Sequence, residues 1–508
     1  MARETELKLS LTATDLPRLR LHPLLAARRP DTRQLHNTYY DTPALDLMRE
    51  RIALRERHMG RRTWLTVKTA GQSTGGLSQR QEWEAPTRAG ALDVDRVVTD
   101  AALATRLMAL RPRLVPLFHT DFQRSKWVLT HGNSLIEVAL DQGHIRTGGT
   151  GHTAPRQLPL LELELELLDG RASDLLDLAH TLALGPPGQP GIWLHPDDRS
   201  KAERGLRLFT GERTGPVPAG PVTLDGDIHP REAWRSTTLA CLAQLQANAV
   251  TLLEQGTDAG LPDPEFVHQA RVALRRLRTG LRLFAPWLPR RFAAHWSAHW
   301  QAMAQSLGEA RNWDVLATEH LAEILSHAPQ VDAAGWTAWV QDQREAANRR
   351  ACKALREPAH AQALLAFMHG VLTLPPPRGE ARVRLRDWAP EALVDPHRRL
   401  LRQTRLALHA GPDGRHELRI AVKRLRYALG FLADVAPDPL LRRGLPRLSR
   451  AQDQLGHLND LDQARQLLAA CPEADPAPLL QVIDGLTRRG LRGLARLERQ
   501  LLRVPAPF

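Results

Sequence analysis

The stretch Glu4-Thr5-Glu6-Leu7-Lys8 near the amino terminus places a charged residue at every second position. In a β-strand, residues two apart point to the same face, about 7 Å from each other, so two carboxylates and one ammonium group would share a face. A second acidic series, Glu162, Glu164 and Glu166, alternates with leucines far downstream. Carboxylates aligned on one strand repel each other unless a cation lies between them, and a hard divalent ion with oxygen ligands commonly supplies that charge. Either series alone is also typical of an antiparallel strand with one wet face and one dry face.

The overall composition is that of a globular protein with more than one domain. The sequence has 508 residues, of which 25% are charged and 43% are hydrophobic, and this length exceeds what one hydrophobic core usually organises. The formal net charge of +13 favours a polyanionic partner such as nucleic acid, an anionic membrane surface or polyphosphate. Because nearly all of the positive charge is arginine, biased coding is an alternative source of that charge.

The cysteines and the hydropathy pattern indicate a compartment. Cys241, Cys352 and Cys471 are isolated in the sequence, which predicts neither a disulfide framework nor a cysteine-based zinc site. We therefore expect a reducing, cytoplasmic compartment. The amino terminus lacks the apolar core of a signal peptide, and there is no run of 18 or more apolar residues, so neither a secretory leader nor a transmembrane helix is expected.

The chain changes character near residue 210. Residues 1–209 read as short strands of alternating polarity separated by turn signals, which predicts an antiparallel sheet or barrel. Residues 210–227 are rich in Gly, Pro and Thr and predict a linker. Residues 228–508 show helical periodicity, and the break at 374–379 divides them into a first part of about 228–374 and a second part of about 380–508.

These two helical parts repeat one another. The segment beginning at His268 aligns with the segment beginning at His416, 148 positions later, and Leu307-Gly308 aligns with Leu455-Gly456 at the same spacing. A constant spacing over so long a span predicts two copies of one helical unit.

The repeated helix predicts an anion-binding surface. In each copy a basic stripe runs beside an apolar stripe. Like charges four residues apart destabilise a helix, so two basic stripes in the same register favour anion binding over a solvated face. Arginine forks match phosphate oxygens, and the few aromatic residues here disfavour nucleic acid, so inorganic polyphosphate is the expected ligand. The candidate polyphosphate-binding residues are His268, Arg271, Arg275, Arg278, His416, Arg419, Lys423 and Arg426. For the two histidines, a capping or packing role is the alternative.

Basic residues also recur at strand spacing within residues 1–209. Together with the acidic series they would fill the interior of a small barrel with charge. Such an interior is unfavourable unless the charges bind something. Acids that hold a metal ion and bases that hold a polyanion would satisfy that requirement.

These motifs resemble two known families. Glu4-x-Glu6-x-Lys8 resembles the defining motif of CYTH domains, the triphosphate tunnel metalloenzymes. The resemblance continues in order through Tyr39-Tyr40-Asp41-Thr42, Leu54-Arg55-x-Arg57, Lys68-Thr69-Ala70-Gly71, Gly75-Gly76-Leu77-Ser78-Gln79-Arg80, Arg124, residues 137–143, Glu162-x-Glu164-x-Glu166 and Ser200-Lys201. The helical region resembles CHAD domains, with their basic, histidine-containing repeated helices. The order of the two is similar to that of bacterial inorganic triphosphatases built from both domains.

The resemblance implies an α+β protein of two domains. An eight-stranded antiparallel β-tunnel with flanking helices would be followed by an all-α CHAD domain of two repeated four-helix bundles. The tunnel would hydrolyse inorganic triphosphate to pyrophosphate and phosphate with Mg²⁺ or Mn²⁺, and the CHAD domain would bind inorganic polyphosphate. Association with polyphosphate granules in the cytoplasm would follow, whereas the oligomeric state stays open.

The resemblance also assigns roles to residues. Glu4, Glu6 and Glu164 would hold one or two metal ions, with Glu166 as a further ligand. The candidate substrate-binding residues are Lys8, Arg55, Arg57, Lys68, Arg80, Arg124 and Lys201. Glu166 and Lys201 are the candidate catalytic residues, because either could orient the attacking water. Three alternatives stay open: an adenylate cyclase, a thiamine or nucleotide triphosphatase of the same superfamily, and a non-enzymatic scaffold that binds polyphosphate.

Overall fold

The computed structural model describes residues 2–69, 71–148, 155–255, 261–375, 383–407, 411–472 and 474–507. The predicted motif residue Ala70, most of the predicted break at 374–379 and the expected start of the second helical part near residue 380 lie outside these ranges. The chain divides into two compact units, Met1–Gly215 with Arg356–Leu374, and Pro216–Leu355 with Pro375–Phe508.

The first unit contains a closed antiparallel barrel. Its strands are β1 (Ala2–Ser10), β2 (Asp31–Asp41), β3 (Ala53–Met59), β4 (Arg62–Lys68), β5 (Gln72–Thr74), β6 (Leu77–Thr87), β7 (Val115–His131), β8 (Ser134–Thr147), β9 (Gln157–Asp169) and β10 (His195–Pro196). Strands β1-β9-β8-β7-β2-β3-β4-β6 follow one another around the sheet, and β6 pairs with β1 to close it. Short β5 and β10 add to β6 and β1. The predicted eight-stranded antiparallel barrel is therefore confirmed.

Among the described residues, seven α-helices precede residue 215. They are α1 (Leu16–Arg20), α2 (Pro23–Ala26), α3 (Asp46–Arg49), α4 (Val94–Val97), α5 (Ala101–Leu110), α6 (Ala172–Leu184) and α7 (Lys201–Thr210). Helix α6 packs against β1 and β9 on the outside of the barrel. Leu7, Leu9, Leu163 and Leu165, the leucines that alternate with the acidic residues, are all fully buried. Because neighbouring strand residues face opposite sides, this dry outer layer directs the acidic residues into the barrel.

The remaining helices are α8 (Pro230–Gln255), α9 (Pro264–Leu283), α10 (Arg290–Ser306), α11 (Gly308–Val315), α12 (Leu321–Ser326), α13 (Ala333–Arg356), α14 (Pro358–Thr373), α15 (Leu385–Ala407), α16 (Gly411–Phe431), α17 (Leu445–Ala469), α18 (Ala477–Leu491) and α19 (Leu494–Leu501). Short 3₁₀ turns occupy Arg111–Arg113 and Ala285–Trp287, and π-helical turns occupy Leu316–His320 and Leu440–Gly444. Among the described helices, none combines the length and apolar character that crossing a membrane requires.

The second unit is helical, and its packing follows the sequence repeat. Helix α9 contacts α8 and α10, and helix α16, which carries the second copy of the repeat, contacts α15 and α17 in the same way. The predicted apolar stripes, Leu274, Leu277, Leu281 and Phe284 in α9 and Val422, Leu425, Leu429 and Leu432 in α16, are buried. Helices α9 and α16 also contact each other, which brings the two basic stripes onto neighbouring helices.

Helix α14 lies in the first unit, although the sequence analysis assigned residues up to 374 to the first helical repeat. Its apolar face packs against α6 and β10. The Nε2 of Gln362 donates a hydrogen bond of 2.8 Å to the carbonyl oxygen of Ala183, and the rings of His360 and His195 lie 5.9 Å apart. The placement follows from burial of apolar surface between segments far apart in the sequence, which local periodicity does not report.

Candidate active site and anion-binding surface

The barrel encloses a cavity of about 360 Å³ whose wall is dominated by charge. Its charged lining residues are Glu4, Glu6, Lys8, Arg55, Arg57, Lys68, Arg80, Glu82, Glu84, Arg124, Lys126, Glu137, Glu164, Glu166 and Lys201. Every metal-binding, substrate-binding and catalytic candidate that the sequence analysis assigned to the tunnel lines this one cavity. Their roles stay predictions, but their convergence is a property of the fold.

The strand register explains why carboxylates crowd one part of the wall. Glu6 on β1 lies opposite Glu166 on β9, and Glu166 lies opposite Glu137 on β8. These three glutamates form one row across adjacent strands. Partners directly opposite in a sheet lie about 4.5–5.5 Å apart at Cβ, so like charges in such a row repel.

Glu166 shows the effect of this crowding. Burial and the nearby carboxylates of Glu4, Glu137 and Glu82 together raise the pKa of its carboxyl group to about 7, with Lys68 opposing them. Within the described ranges Glu166 makes no ion pair within 4.0 Å, whereas Glu137 pairs with Lys126 at 2.6 Å. Glu166 is thus a hard oxygen donor without a paired cation, placed between two other carboxylates, and such a position fits a divalent cation such as Mg²⁺ or Mn²⁺.

The other amino-terminal acids already have cationic partners. Lys68 Nζ lies 2.9 Å from a carboxylate oxygen of Glu4, and Arg80 Nε lies 3.2 Å from the same oxygen. Arg80 also pairs with Glu6, whose carboxylate lies 3.6 Å from Lys8 Nζ. These contacts fix the positions of the acidic and basic side chains of the wall relative to one another.

A second acidic cluster lies beside Lys201. One carboxylate oxygen from each of Asp141, Glu162 and Glu164 lies within 4.8 Å of the others. Lys201 Nζ lies 2.7 Å from Asp141 and 3.0 Å from Glu164, and it also pairs with Glu162. Arg124 adds a 2.6 Å contact to Asp141 and another to Glu164.

These cations neutralise that cluster. Burial alone would raise the pKa of Glu164, but Lys201, Arg124 and Lys8 hold it well below its ordinary value. Burial alone would lower the pKa of Lys201, but Asp141, Glu162 and Glu164 raise it above its ordinary value.

Lys201 is the first residue of helix α7, and it lines the cavity. Ser200 caps the helix, its hydroxyl accepting from the backbone N–H of Glu203 while Glu203 accepts from the backbone N–H of Ser200, a reciprocal arrangement that fixes the first helical turn. Gly205 allows the helix to approach the barrel closely, because a Cβ atom there would lie 2.0 Å from a ring carbon of Phe118. The sequence analysis recognised Lys201 but did not group it with Asp141 and Glu162.

The wall also carries two arginines on β3, of which Arg57 is less well compensated by acidic neighbours than Arg55. Arg57 lies 3.6 Å from Glu84, and Arg55 lies 4.0 Å from Glu82. Burial and the neighbouring charges of Arg55 and Arg124 together lower the pKa of the Arg57 guanidinium to about 10, with Glu84 opposing them. Mutually repelling guanidinium groups in a partly dry cavity form a site for an anion.

A second concentration of charge lies on α9 and α16. Burial and the charges of Arg419, Arg275 and Arg271 together lower the pKa of Lys423 to about 6, with Asp460 opposing them. Burial likewise lowers the pKa of Arg271 to about 10, and Arg275, Arg311 and Arg419 act in the same direction.

His268 joins the same cluster. Its pKa is lowered to about 4 by burial and by Arg311, Arg275, Arg271 and Lys423. The structure therefore brings together His268, Arg271, Arg275, Arg419 and Lys423, to which it adds Arg311 and Asp460.

The other predicted members of the stripes lie apart from this cluster. Arg278 donates to Gln301 at 2.7 Å, and Arg426 donates to Gln452 at 2.8 Å while its guanidinium lies 5.4 Å from the ring centre of Tyr427. His416 is exposed near the start of α16. Arg311 was not predicted from the sequence; its equivalent 148 positions later is Asn459, so the repeat gave no signal for a basic residue there.

Residues 2–187 match the CYTH domain family, and residues 237–469 match the CHAD domain family. The chain is a CYTH domain followed by a CHAD domain. The barrel with its charged cavity lies in the CYTH domain, and the clustered basic residues of α9 and α16 lie in the CHAD domain.

Parts of the chain are similar to other known proteins. An inorganic triphosphatase of Haemophilus influenzae is 34% identical over 181 residues, which is 34% of this chain and 46% of that protein. An uncharacterized protein of Mycobacterium tuberculosis is 26% identical over 311 residues, 59% of this chain and 55% of that protein. The chain thus matches about half the length of these relatives. The crystal structure of the CHAD domain from Ricinus communis is 27% identical, covers 58% of this chain and 99% of that one, and has a TM-score of 0.46.

Proposed function

We propose that the CYTH domain hydrolyses inorganic triphosphate to pyrophosphate and phosphate with a divalent metal ion, Mg²⁺ or Mn²⁺, and that the CHAD domain binds inorganic polyphosphate. One observation carries the first half of this proposal. A single closed barrel directs a row of carboxylates and a set of buried cations into one cavity of about 360 Å³. The basic side chains can bind a short phosphate chain, and the carboxylates can bind its metal counter-ion. A cavity that only captured an anion would not need the row of carboxylates.

The metal would be held by Glu4, Glu6 and Glu164, with Glu166 completing the oxygen donors. When bound, it would neutralise charge on the phosphates and favour ionisation of an attacking water. The cations Arg55, Arg57 and Arg124 would hold the phosphate chain by bidentate contacts, with Lys8, Lys68, Arg80 and Lys201 as further contacts. Phosphoryl transfer depends mainly on such positioning and charge stabilisation.

Of the two catalytic candidates, Glu166 is better suited to orient water. Among the described residues its carboxyl group has no ion-pair partner within 4.0 Å, and it lines the same cavity as the proposed metal ligands, so its carboxylate can accept a hydrogen bond from the attacking water. The ammonium group of Lys201 is held by three carboxylates. Lys201 would therefore position Glu164 and Arg124 and complete the anion site.

The test is a phosphate-release assay on the full chain with tripolyphosphate, ATP and thiamine triphosphate, each with Mg²⁺, with Mn²⁺ and with EDTA. We expect metal-dependent release that is fastest with tripolyphosphate. Glu166→Gln should lower this turnover by about 100-fold or more, whereas Asp169→Asn, an exposed position on the same strand, should leave it unchanged. Cyclic nucleotide formation from ATP, or faster release from an organic triphosphate, would redirect the assignment within the superfamily. Absence of any metal-dependent turnover would contradict it.

The proposed role of the CHAD domain rests on the cluster His268, Arg271, Arg275, Arg419 and Lys423. Burial and neighbouring positive charges disfavour the cationic forms of His268, Arg271, Arg419 and Lys423, so the cluster gains stability when a polyanion enters. The full chain is the appropriate material, because α14 lies within the first unit. Polyphosphate binding should weaken steeply with salt, and the double variant Arg275→Gln/Arg419→Gln should weaken it far more than Arg405→Gln, an exposed position on α15. Equal weakening in the two variants would contradict this site.

A further inference from the structure

A separate cavity of about 570 Å³ lies in the second unit, between α9, α15 and α16. None of the candidate polyphosphate-binding residues lines it. Its volume is in the range of sites that bind small organic molecules in proteins. Its wall is divided into a cationic side and an apolar side.

The cationic side consists of Arg282, Arg399 and Arg424, one from each of the three helices. Burial lowers the pKa of Arg424, and the charges of Arg282 and Arg399 lower it further. Within the described residues, the Nε atoms of Arg399 and Arg424 are buried without a hydrogen-bond partner. Glu417 is the acid that pairs with these arginines, and its carboxylate lies 3.0 Å from Nη2 of Arg399. Three converging guanidinium groups with unused donors form a receptor for phosphate oxygens.

The apolar side is formed by Leu283, Pro286, Trp388, Ala392, Val394, Pro396, Ala421 and Ala428. Trp388 is held in place by Phe284, whose ring centre lies 5.2 Å away, and by Trp287 at 5.9 Å. Two acids also line the cavity, Glu391 and Asp395, and both are exposed. Asp395 is already paired with Arg398 at 2.9 Å, so the acids leave the arginines available.

We propose that this cavity binds a small organic phosphate, namely a nucleotide, with its phosphate on Arg282, Arg399 and Arg424 and its base against the wall formed by Trp388 and the neighbouring aliphatic residues. A chain of bare phosphates would satisfy the arginines but would leave the apolar wall in contact with water. A molecule with an anionic end and a flat apolar end buries both sides at once. The proposal is independent of the activity proposed for the barrel.

The experiment uses the full chain in EDTA and separates this cavity from the barrel by location. Irradiation with 8-azido-AMP, followed by peptide mass spectrometry, should label α9, α15 or α16. Calorimetry should show that AMP binds at least 10-fold more tightly than either adenosine or inorganic phosphate. Arg424→Gln should weaken AMP binding at least 10-fold, and Arg405→Gln on the exposed side of α15 should not.

A second variant addresses the apolar wall without touching charge. Ala392→Phe should fill part of the cavity and abolish AMP binding while leaving polyphosphate binding unchanged. Circular dichroism melts of both variants would establish that they are folded. The proposal is overturned if label appears only in barrel peptides, if AMP binding survives both Arg424→Gln and Ala392→Phe, or if phosphate alone binds as tightly as AMP.

Discussion

Lys423 makes polyphosphate binding depend on pH in a way that can be measured. Its pKa is about 6 because burial and the charges of Arg419, Arg275 and Arg271 disfavour the ammonium form. At pH 8 only about 1% of this side chain is charged, and at pH 6 about half is charged. A bound polyanion reverses the local potential and returns the pKa towards its ordinary value.

The expected magnitude follows from proton linkage. If Lys423 is fully protonated in the complex, the affinity for polyphosphate should increase about 50-fold between pH 8 and pH 6. At pH 7, binding should take up about 0.9 proton per site. The inner phosphates of the ligand stay ionised throughout this range, so the change belongs to the protein.

The assay is titration calorimetry of the full chain with polyphosphate, in pairs of buffers with different ionisation enthalpies, from pH 6 to pH 8.5. Lys423→Arg provides the matched variant, because a guanidinium group keeps its charge over this whole range. It should bind tightly at pH 8 and show less than a five-fold change down to pH 6. A wild-type affinity that does not vary with pH, or a Lys423→Arg variant that varies as much as the wild type, would refute the reasoning.

Other consequences concern stability. Without ligand, Lys423 has a lower pKa in the folded protein than in the unfolded chain, so the wild type should gain stability relative to Lys423→Gln as pH rises from 6 towards 10. If the two proteins are equally stable above pH 10, Lys423→Gln should be more stable by as much as about 4–5 kcal/mol at pH 7 in chemical denaturation. Glu166 should give the opposite pH dependence of stability, because its folded pKa of about 7 exceeds its unfolded value. Its contribution to stability is complete below pH 4.5 and is lost as pH rises through 7, so the metal-free wild type should lose about 1–2 kcal/mol of stability relative to Glu166→Gln between pH 5 and pH 8. Thermal melts with Mg²⁺ should show the reverse trend. Lys201→Met should lower stability by about 3–5 kcal/mol at pH 7, because it leaves a buried acidic cluster uncompensated, and the loss should shrink on acidification. Gly205→Ala should destabilise the first unit by about 1–3 kcal/mol, because the new Cβ meets Phe118, and a melt unchanged within error would contradict the close approach.

The sequence predicted the barrel and the lining of its cavity because strand geometry is local. A period of two places Glu4, Glu6 and Lys8 on one face whatever the rest of the chain does. The leucines between them then determine which face is buried outside the barrel. The apolar stripes of α9 and α16 were predictable for the corresponding reason at helical period.

The sequence alone does not predict which charged residues pair with one another. That Lys201 is held by Asp141, Glu162 and Glu164 depends on the register of β8 and β9 and on the angle at which α7 enters. Likewise, Asp460 joins the cluster around Lys423 through the packing of one helix on another. Spacing identifies residues that share a face, but it does not identify partners on different elements.

The position of α14 bears on how this protein is synthesised. The first unit is assembled from Met1–Gly215 and Arg356–Leu374, so the layer that covers α6 is incomplete until the ribosome has released residue 374. At about 5–20 residues per second, roughly ten to thirty seconds pass between synthesis of the barrel and synthesis of α14, the helix that packs against α6. During this interval, chaperones that bind apolar surfaces are expected to bind the emerging chain. A chain truncated after residue 215 would leave the α14-facing surface of α6 exposed permanently.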